Sequence, residues 1–261
     1  MPIWLRLCNL SLLNICKLTL QTLNILILFL RSSLFLLGQI ITAPVFTLIA
    51  FLALPLNPVK RNVLISGWAR LMIWWLRITC NITHKISGLE NLPHTPSIIL
   101  AKHQSAWETL AFQTIFPAQC YVMKKNLLWI PIFGWGLALS SPIAIDRSAG
   151  REALKKLVEK GKHRLSNGLW IVIFPEGTRK LPTERGKYHL GGAWLATHTN
   201  TPIVPVAHNA GEFWGKNSFI KKPGVIQVHI GSVIKTAGLK TDVVNGQVEN
   251  WIETNMLDLH V

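Results

Sequence analysis

Residues 97–109 read Ser97-Ile98-Ile99-Leu100-Ala101-Lys102-His103-Gln104-Ser105-Ala106-Trp107-Glu108-Thr109. The apolar run Ile98-Ile99-Leu100, preceded by Pro93 and Pro96, has the length and boundaries of a buried strand. Glu108 to Phe116 has a helical pattern. A histidine and a carboxylate therefore stand where a strand gives way to a helix. That is where α/β proteins hold reactive side chains, because a rigid edge keeps them in a concave place that solvent can reach.

An imidazole titrates near neutral pH and can take a proton from an attacking hydroxyl. A carboxylate on its other ring nitrogen would fix the tautomer and stabilise the imidazolium. On a continuous helix His103 and Glu108 would point roughly 140° apart, so the pairing requires a turn between them. A structural reading stands beside this one. Ser105-x-x-Glu108 is a capping-box pattern, in which the carboxylate only satisfies backbone N–H groups.

Downstream, short apolar segments alternate with helical ones. Strands are expected at residues 98–100, 119–123, 142–145, 169–174, 203–207 and 225–230, and helices at 108–116, 151–165, 190–199 and 242–257. The alternation predicts an α/β fold with a mixed, largely parallel central sheet and flanking helices. The 151–165 helix carries apolar residues at 154, 157, 158 and 165 and a lysine-rich opposite face, read as solvated or turned to a lipid surface. Pro205, inside an expected strand, points to an edge or a bulge.

Upstream, residues 1–59 hold only three charges, Arg6, Lys17 and Arg31, all positive. Leu18–Leu30 and Ser32–Val59 are uncharged, and the second run is long enough to cross a hydrocarbon core of about 30 Å, although Pro44 and Pro55 would kink it. No small-x-small cleavage site follows, so the reading is an uncleaved, two-helix membrane anchor over 1–59 and an α/β domain over 60–261. Spanning and one-leaflet placements are both open. Lys60, Arg61, Arg70, Arg77 and Lys85 follow with no acid before Glu90, which places the body on the cytoplasmic side. Trp68, Trp74 and Trp75 fit either an interfacial helix over 63–77 or a packed one.

The whole composition agrees. A formal charge of +15 comes with 49% hydrophobic residues and a mean hydropathy of +0.33. Nucleic-acid binders are basic and polar, whereas a basic and apolar chain fits an anionic membrane surface. The four cysteines are scattered, with neither a zinc signature nor a disulfide framework.

Three more strand ends carry chemistry. Phe174-Pro175-Glu176-Gly177-Thr178-Arg179-Lys180 makes a tight turn in which Gly177 is free to take positive φ, and it presents a guanidinium fork suited to phosphate. A turn with a solvated charge pair is the plain alternative. Asp146-Arg147 ends another strand, as a surface ion pair when taken alone. Lys124-Lys125 ends a third, ahead of Leu127-Leu128-Trp129-Ile130-Pro131-Ile132-Phe133-Gly134-Trp135, which is apolar enough to line an acyl-chain groove.

In order and spacing these blocks resemble the glycerolipid acyltransferases, in particular the bacterial 1-acyl-sn-glycerol-3-phosphate acyltransferases. The residues concerned are His103-x4-Glu108, Ile143-Ala144-Ile145-Asp146-Arg147, Phe174–Arg179 and Ile203-Val204-Pro205-Val206, with the Lys124–Gly134 segment between the first two. The resemblance covers roughly residues 80 to 235, and Glu108 stands where the family usually has aspartate. It implies that His103 deprotonates the sn-2 hydroxyl of lysophosphatidic acid while Glu108 holds the ring. The oxygen then attacks the thioester of acyl-CoA or acyl-carrier protein, giving phosphatidic acid. Arg179 with Lys124 or Lys125 would bind the phosphate, Glu176, Gly177 and Thr178 would shape that turn, and Asp146 and Arg147 would serve structure or the acceptor. The resemblance implies no metal and no tightly bound cofactor. It also implies residence in a bacterial inner membrane, with membrane lipids as partners. Other readings are the same chemistry on another lyso-acceptor (a lysophospholipid or an ornithine-type lipid) and a non-catalytic basic lipid-binding protein. The lipid A acyltransferases, which share H-x4-[DE], are a distant alternative.

Overall fold

The computed structural model describes residues 3–131 and 133–259, and the side chains of these other than residues 3–18, 133 and 147. Two apolar helices lead, α1 (Ile3–Leu52) and α2 (Pro58–Cys80). The body runs β1 (Ile82–Ser87), β2 (Ile98–Ala101), α3 (Trp107–Ile115), β3 (Gln119–Lys124), α4 (Phe133–Leu139), β4 (Ile143–Ile145), α5 (Gly150–Ser166), β5 (Trp170–Ile173), α6 (Gly191–Thr199), β6 (Ile203–His208), α7 (Ala210–Phe213), β7 (Gly224–Ile230) and α8 (Thr241–Leu259).

The seven strands form one sheet in the order β1-β7-β6-β2-β5-β3-β4. Every neighbouring pair is parallel except β6 with β7, so the sheet is mixed and largely parallel, as expected. Side-chain alternation sorts β2 between two cores. Ile99 and Ala101 face Met72 and Leu76 of α2 and Phe112 of α3, whereas Ile98 and Leu100 face Leu157 of α5, Leu195 of α6 and Ile252 of α8. Helices thus cover both faces, which is why the central strands β2, β5 and β6 are buried throughout and read as near-continuous apolar runs.

Three expectations need correction. First, α1 continues through Arg31 and Ser32, and through Pro44, without a break. The second apolar helix therefore begins at Pro58, where the anchor was expected to end. Its start is well specified, with proline in the first turn and the Asn57 side chain accepting the Lys60 N–H (2.9 Å). This helix is packed: Trp68 Nε1 donates to Thr42 Oγ1 (3.0 Å) and Trp75 Nε1 to the Leu34 carbonyl (3.1 Å), both on α1. Second, β1 was not anticipated. Its residues alternate without a strong apolar signal, and pairing with β7 is what orders them. Third, Pro205 lies in an interior strand. Its carbonyl accepts from Gly231 N–H (2.9 Å), and antiparallel pairing resumes at Ile203 with Ile234. The edge expectation therefore fails, while one extra residue of the partner segment stands opposite the proline, where its missing N–H is tolerated.

Helix α1 is also fixed to the body. The buried Ser32 Oγ accepts the Lys221 N–H (3.0 Å), and the buried Phe35 ring meets Trp214 edge-on at 5.3 Å. The Lys221 ammonium lies 4.8 Å from the centroid of the Trp214 ring and 5.3 Å from that of Phe35.

Candidate active site

Strands β2 to β6 run in one direction, so their C-terminal ends open on a single edge of the sheet. Ladder register shows how closely. Leu100 pairs with Ile173, so His103 comes level with Glu176, each three residues on. Tyr121 pairs with Val172, which carries Lys125 to the level of Glu176, each four residues on. Lys124 pairs with Ile145, bringing Lys125 level with Asp146. The four expected blocks thus share one edge, at the place where neighbouring connections leave the sheet in different directions.

Between β2 and α3 the chain is irregular. Ser105 Oγ accepts the Trp107 N–H (3.1 Å) and opens the helix. From the first turn of α3, Glu108 folds back under this loop. Oε1 lies 2.8 Å from His103 Nδ1, and the carboxylate accepts the amides of Gln104 (3.0 Å) and Ser105 (2.9 Å). A single buried carboxylate thus contacts both the backbone amides of the loop and the ring. Burial would raise its pKa, but the hydrogen bond from His103 and the Ser105 amide outweigh that and hold it below the ordinary value. The ionised carboxylate makes Nδ1 the protonated ring nitrogen and leaves Nε2 as the acceptor. No hydrogen bond from the described residues engages Nε2. The ring stacks on Phe174 (centroids 4.1 Å apart, planes 11° apart) and is 16% exposed.

The turn after β5 is sewn to His103 at both backbone groups. Glu176 Oε2 accepts the His103 N–H (2.9 Å), and Lys180 N–H donates to the His103 carbonyl (2.7 Å). Gly177 N–H closes the turn onto the Phe174 carbonyl (3.0 Å), with Gly177 at φ +68°. Glu176 is therefore turned inward, and burial pushes its carboxyl up. Arg179 is half-buried, and none of the described residues pairs with its guanidinium. Thr178, Lys124 and Lys125 are exposed. Asp146 Oδ1 accepts the Ser148 N–H (3.0 Å) and caps a short 3₁₀ turn; the Arg147 side chain lies outside the described residues.

A second polar layer lies beneath the loop. The Lys102 ammonium, 1% exposed, meets Glu176 Oε1 (2.9 Å), Glu253 Oε1 of α8 (2.8 Å) and the Glu184 carbonyl (3.2 Å). His208 is buried, its Nε2 donating to the Lys102 carbonyl (3.0 Å) and Nδ1 accepting from Ala210 N–H (3.3 Å). Burial lowers its pKa and keeps it neutral. A lysine at the end of an apolar strand was this layer's only signal in the sequence.

Beside the site, Leu127, Trp129, Ile130 and Trp135 are exposed, and a cavity of about 90 Å³ lies between α1, α2, β3 and α4, lined by Phe46, Ile65, Trp68, Tyr121 and Leu137 among others.

Comparisons with known proteins bear on this arrangement. A family model described as acyltransferase matches residues 83–209. A 1-acyl-sn-glycerol-3-phosphate acyltransferase of Pseudomonas aeruginosa is 39% identical over 234 residues, 88% of this chain and 91% of that protein. The human 1-acyl-sn-glycerol-3-phosphate acyltransferase alpha is 30% identical over 205 residues, 75% of this chain and 71% of its own. The crystal structure of the 1-acyl-sn-glycerophosphate (LPA) acyltransferase PlsC from Thermotoga maritima superposes with a TM-score of 0.72 at 20% identity, covering 88% of this chain and 95% of that one, a likeness of fold.

Proposed function

The chain belongs to the acyltransferase family, and on that premise we propose that it moves a fatty acyl group from acyl-CoA or acyl-carrier protein to the sn-2 hydroxyl of 1-acyl-sn-glycerol-3-phosphate, giving phosphatidic acid. The observation that carries this reading is the His103–Glu108 pair, with Nε2 unengaged among the described residues, on the same sheet edge as the Phe174–Arg179 turn.

His103 Nε2 takes the proton of the acceptor hydroxyl as its oxygen attacks the thioester carbonyl carbon. Glu108 holds the Nδ1–H and balances the imidazolium. The tetrahedral intermediate collapses by breaking the C–S bond, and the imidazolium returns its proton to the leaving thiolate. The products are the new ester and a free thiol, with His103 restored. Arg179, with Lys124 or Lys125, holds the acceptor phosphate, and Gly177 and Thr178 give that turn its shape while Glu176 anchors it from beneath. Asp146 keeps its turn in place. Helices α1 and α2 are long and apolar enough to cross a membrane. They hold the body at the cytoplasmic face of the inner membrane, where both lipid substrate and product reside.

The test is acyl transfer to lysophosphatidic acid with a set of thioester donors, alongside a panel of other lyso-acceptors. Phosphatidic acid is the expected product; preference for an acceptor lacking a phosphate monoester would overturn the assignment. His103→Ala is expected to remove turnover by a factor of about 10² to 10⁴ without altering folding or membrane association.

A further inference from the structure

Beneath the site lies a charge cluster centred on Lys102, whose role the proposed mechanism leaves open. The Lys102 ammonium donates to Glu253 Oε1 and to the Glu184 carbonyl, and makes a 2.9 Å ion pair with Glu176 Oε1, which has no hydrogen-bond partner among the described residues. Glu253 is held in turn by the Tyr188 hydroxyl, which donates to Oε1 (2.7 Å). Lys102, Glu176 and Tyr188 are all buried, and the Glu253 side chain is 17% exposed.

A buried ammonium is a poor way to gain stability. Well-packed apolar side chains in its place are commonly as stable or more so, because two or three charges need not be stripped of water. What the cluster does achieve is geometric. It fixes one oxygen of Glu176, and the other oxygen accepts the N–H of His103. A chain of contacts therefore runs from α8 through Glu253, Lys102 and Glu176 to the backbone of the residue whose ring is read as the base.

We propose that Glu253 and Lys102 are positioning residues: the carboxylate of the C-terminal helix holds the Lys102 ammonium, which holds Glu176 against the His103 amide and so sets the imidazole's place relative to the acceptor hydroxyl. Neither touches substrate. The inference rests on His103 being the base, and a ring displaced by a fraction of an ångström loses rate without losing binding.

The experiment measures kcat and KM per folded molecule, for acceptor and donor separately, in Glu253→Gln, Glu253→Asp and Tyr188→Phe of the full-length protein, with His103→Ala in parallel. Glu253→Gln should lower kcat about tenfold with both KM values within about twofold of the parent. Glu253→Asp, which keeps the charge, should recover more than half of the parent kcat, and Tyr188→Phe should lose about two- to fivefold. Unchanged kcat in Glu253→Gln, or an equal loss in the Gln and Asp variants, would overturn the positioning role. Should Glu253→Gln not fold, Tyr188→Phe decides alone: kcat unaltered, or a rise in KM instead, refutes it. Survival of turnover in His103→Ala would instead strike the base assignment, so the two failures are distinguishable.

Discussion

At residue 108 the side chain is a glutamate, one methylene longer than the aspartate usual in the family it resembles. Its carboxylate sits under the loop and reaches the Gln104 and Ser105 amides as well as the ring. Glu108→Gln keeps the shape but removes the negative charge beside the ring, which the proposed mechanism uses to balance the imidazolium. It is expected to lower kcat about 10²- to 10⁴-fold with little change in KM, as steady-state kinetics would show. Arg179 is different, because its guanidinium is uncommitted within the described residues. Arg179→Lys keeps a charge but loses the planar fork. The KM for lysophosphatidic acid should then rise about 10- to 100-fold while the donor KM stays put, in keeping with about 1.5–3 kcal/mol for a charged hydrogen bond. An equal rise in both would mean that the residue does not read the acceptor.

Two connecting elements set the geometry that those residues use. The turn after β5 needs Gly177 at φ +68°, a conformation that costs an ordinary L-residue about 1–2 kcal/mol. Gly177→Ala should lower the unfolding free energy by about that amount, measurable by denaturant titration. The end of β6 contributes pH dependence. His208 is buried and its folded-state pKa lies below the ordinary 6.5; His84 shifts the same way for the same reason. Below pH 6.5 the unfolded chain binds these protons first, so stability is full above that pH and falls as pH drops toward the folded values. Glu108 adds to the loss only once pH falls below 4.5, its ordinary value. Replacing His208 by glutamine should flatten the decline in Tm between roughly pH 6.5 and 5. A decline as steep as in the parent would show that other groups carry it.

Across the whole molecule, attachment to lipid and attachment to the body are separate matters. One face of α1 leaves Leu26, Leu30, Leu37, Ile41 and Leu48 exposed, while Ser32 and Phe35 are sealed against Lys221 and Trp214. If apolar burial and not surface charge holds the protein to the membrane, about 1 M salt, which shortens electrostatic reach to about 3 Å, should leave it in the pellet. Detergent should release it. Release by salt alone would make the basic surface the anchor. The sequence by itself was enough for the alternation of strands and helices, because the central strands, covered on both faces, are short runs of mostly apolar residues bounded by turn residues. It was enough, too, to place the polar blocks at strand ends, since each lies within a few consecutive residues around a turn. It did not reveal β1, whose order comes from pairing with β7, nor the uninterrupted course of α1 through Pro44, whose neighbours on both sides stay helical. Nor did it reveal the seat of Lys102, whose partner Glu253 is 151 residues away. Only the packing of α8 onto the sheet brings that carboxylate beneath the loop, and no local pattern encodes a contact whose two halves meet through the fold.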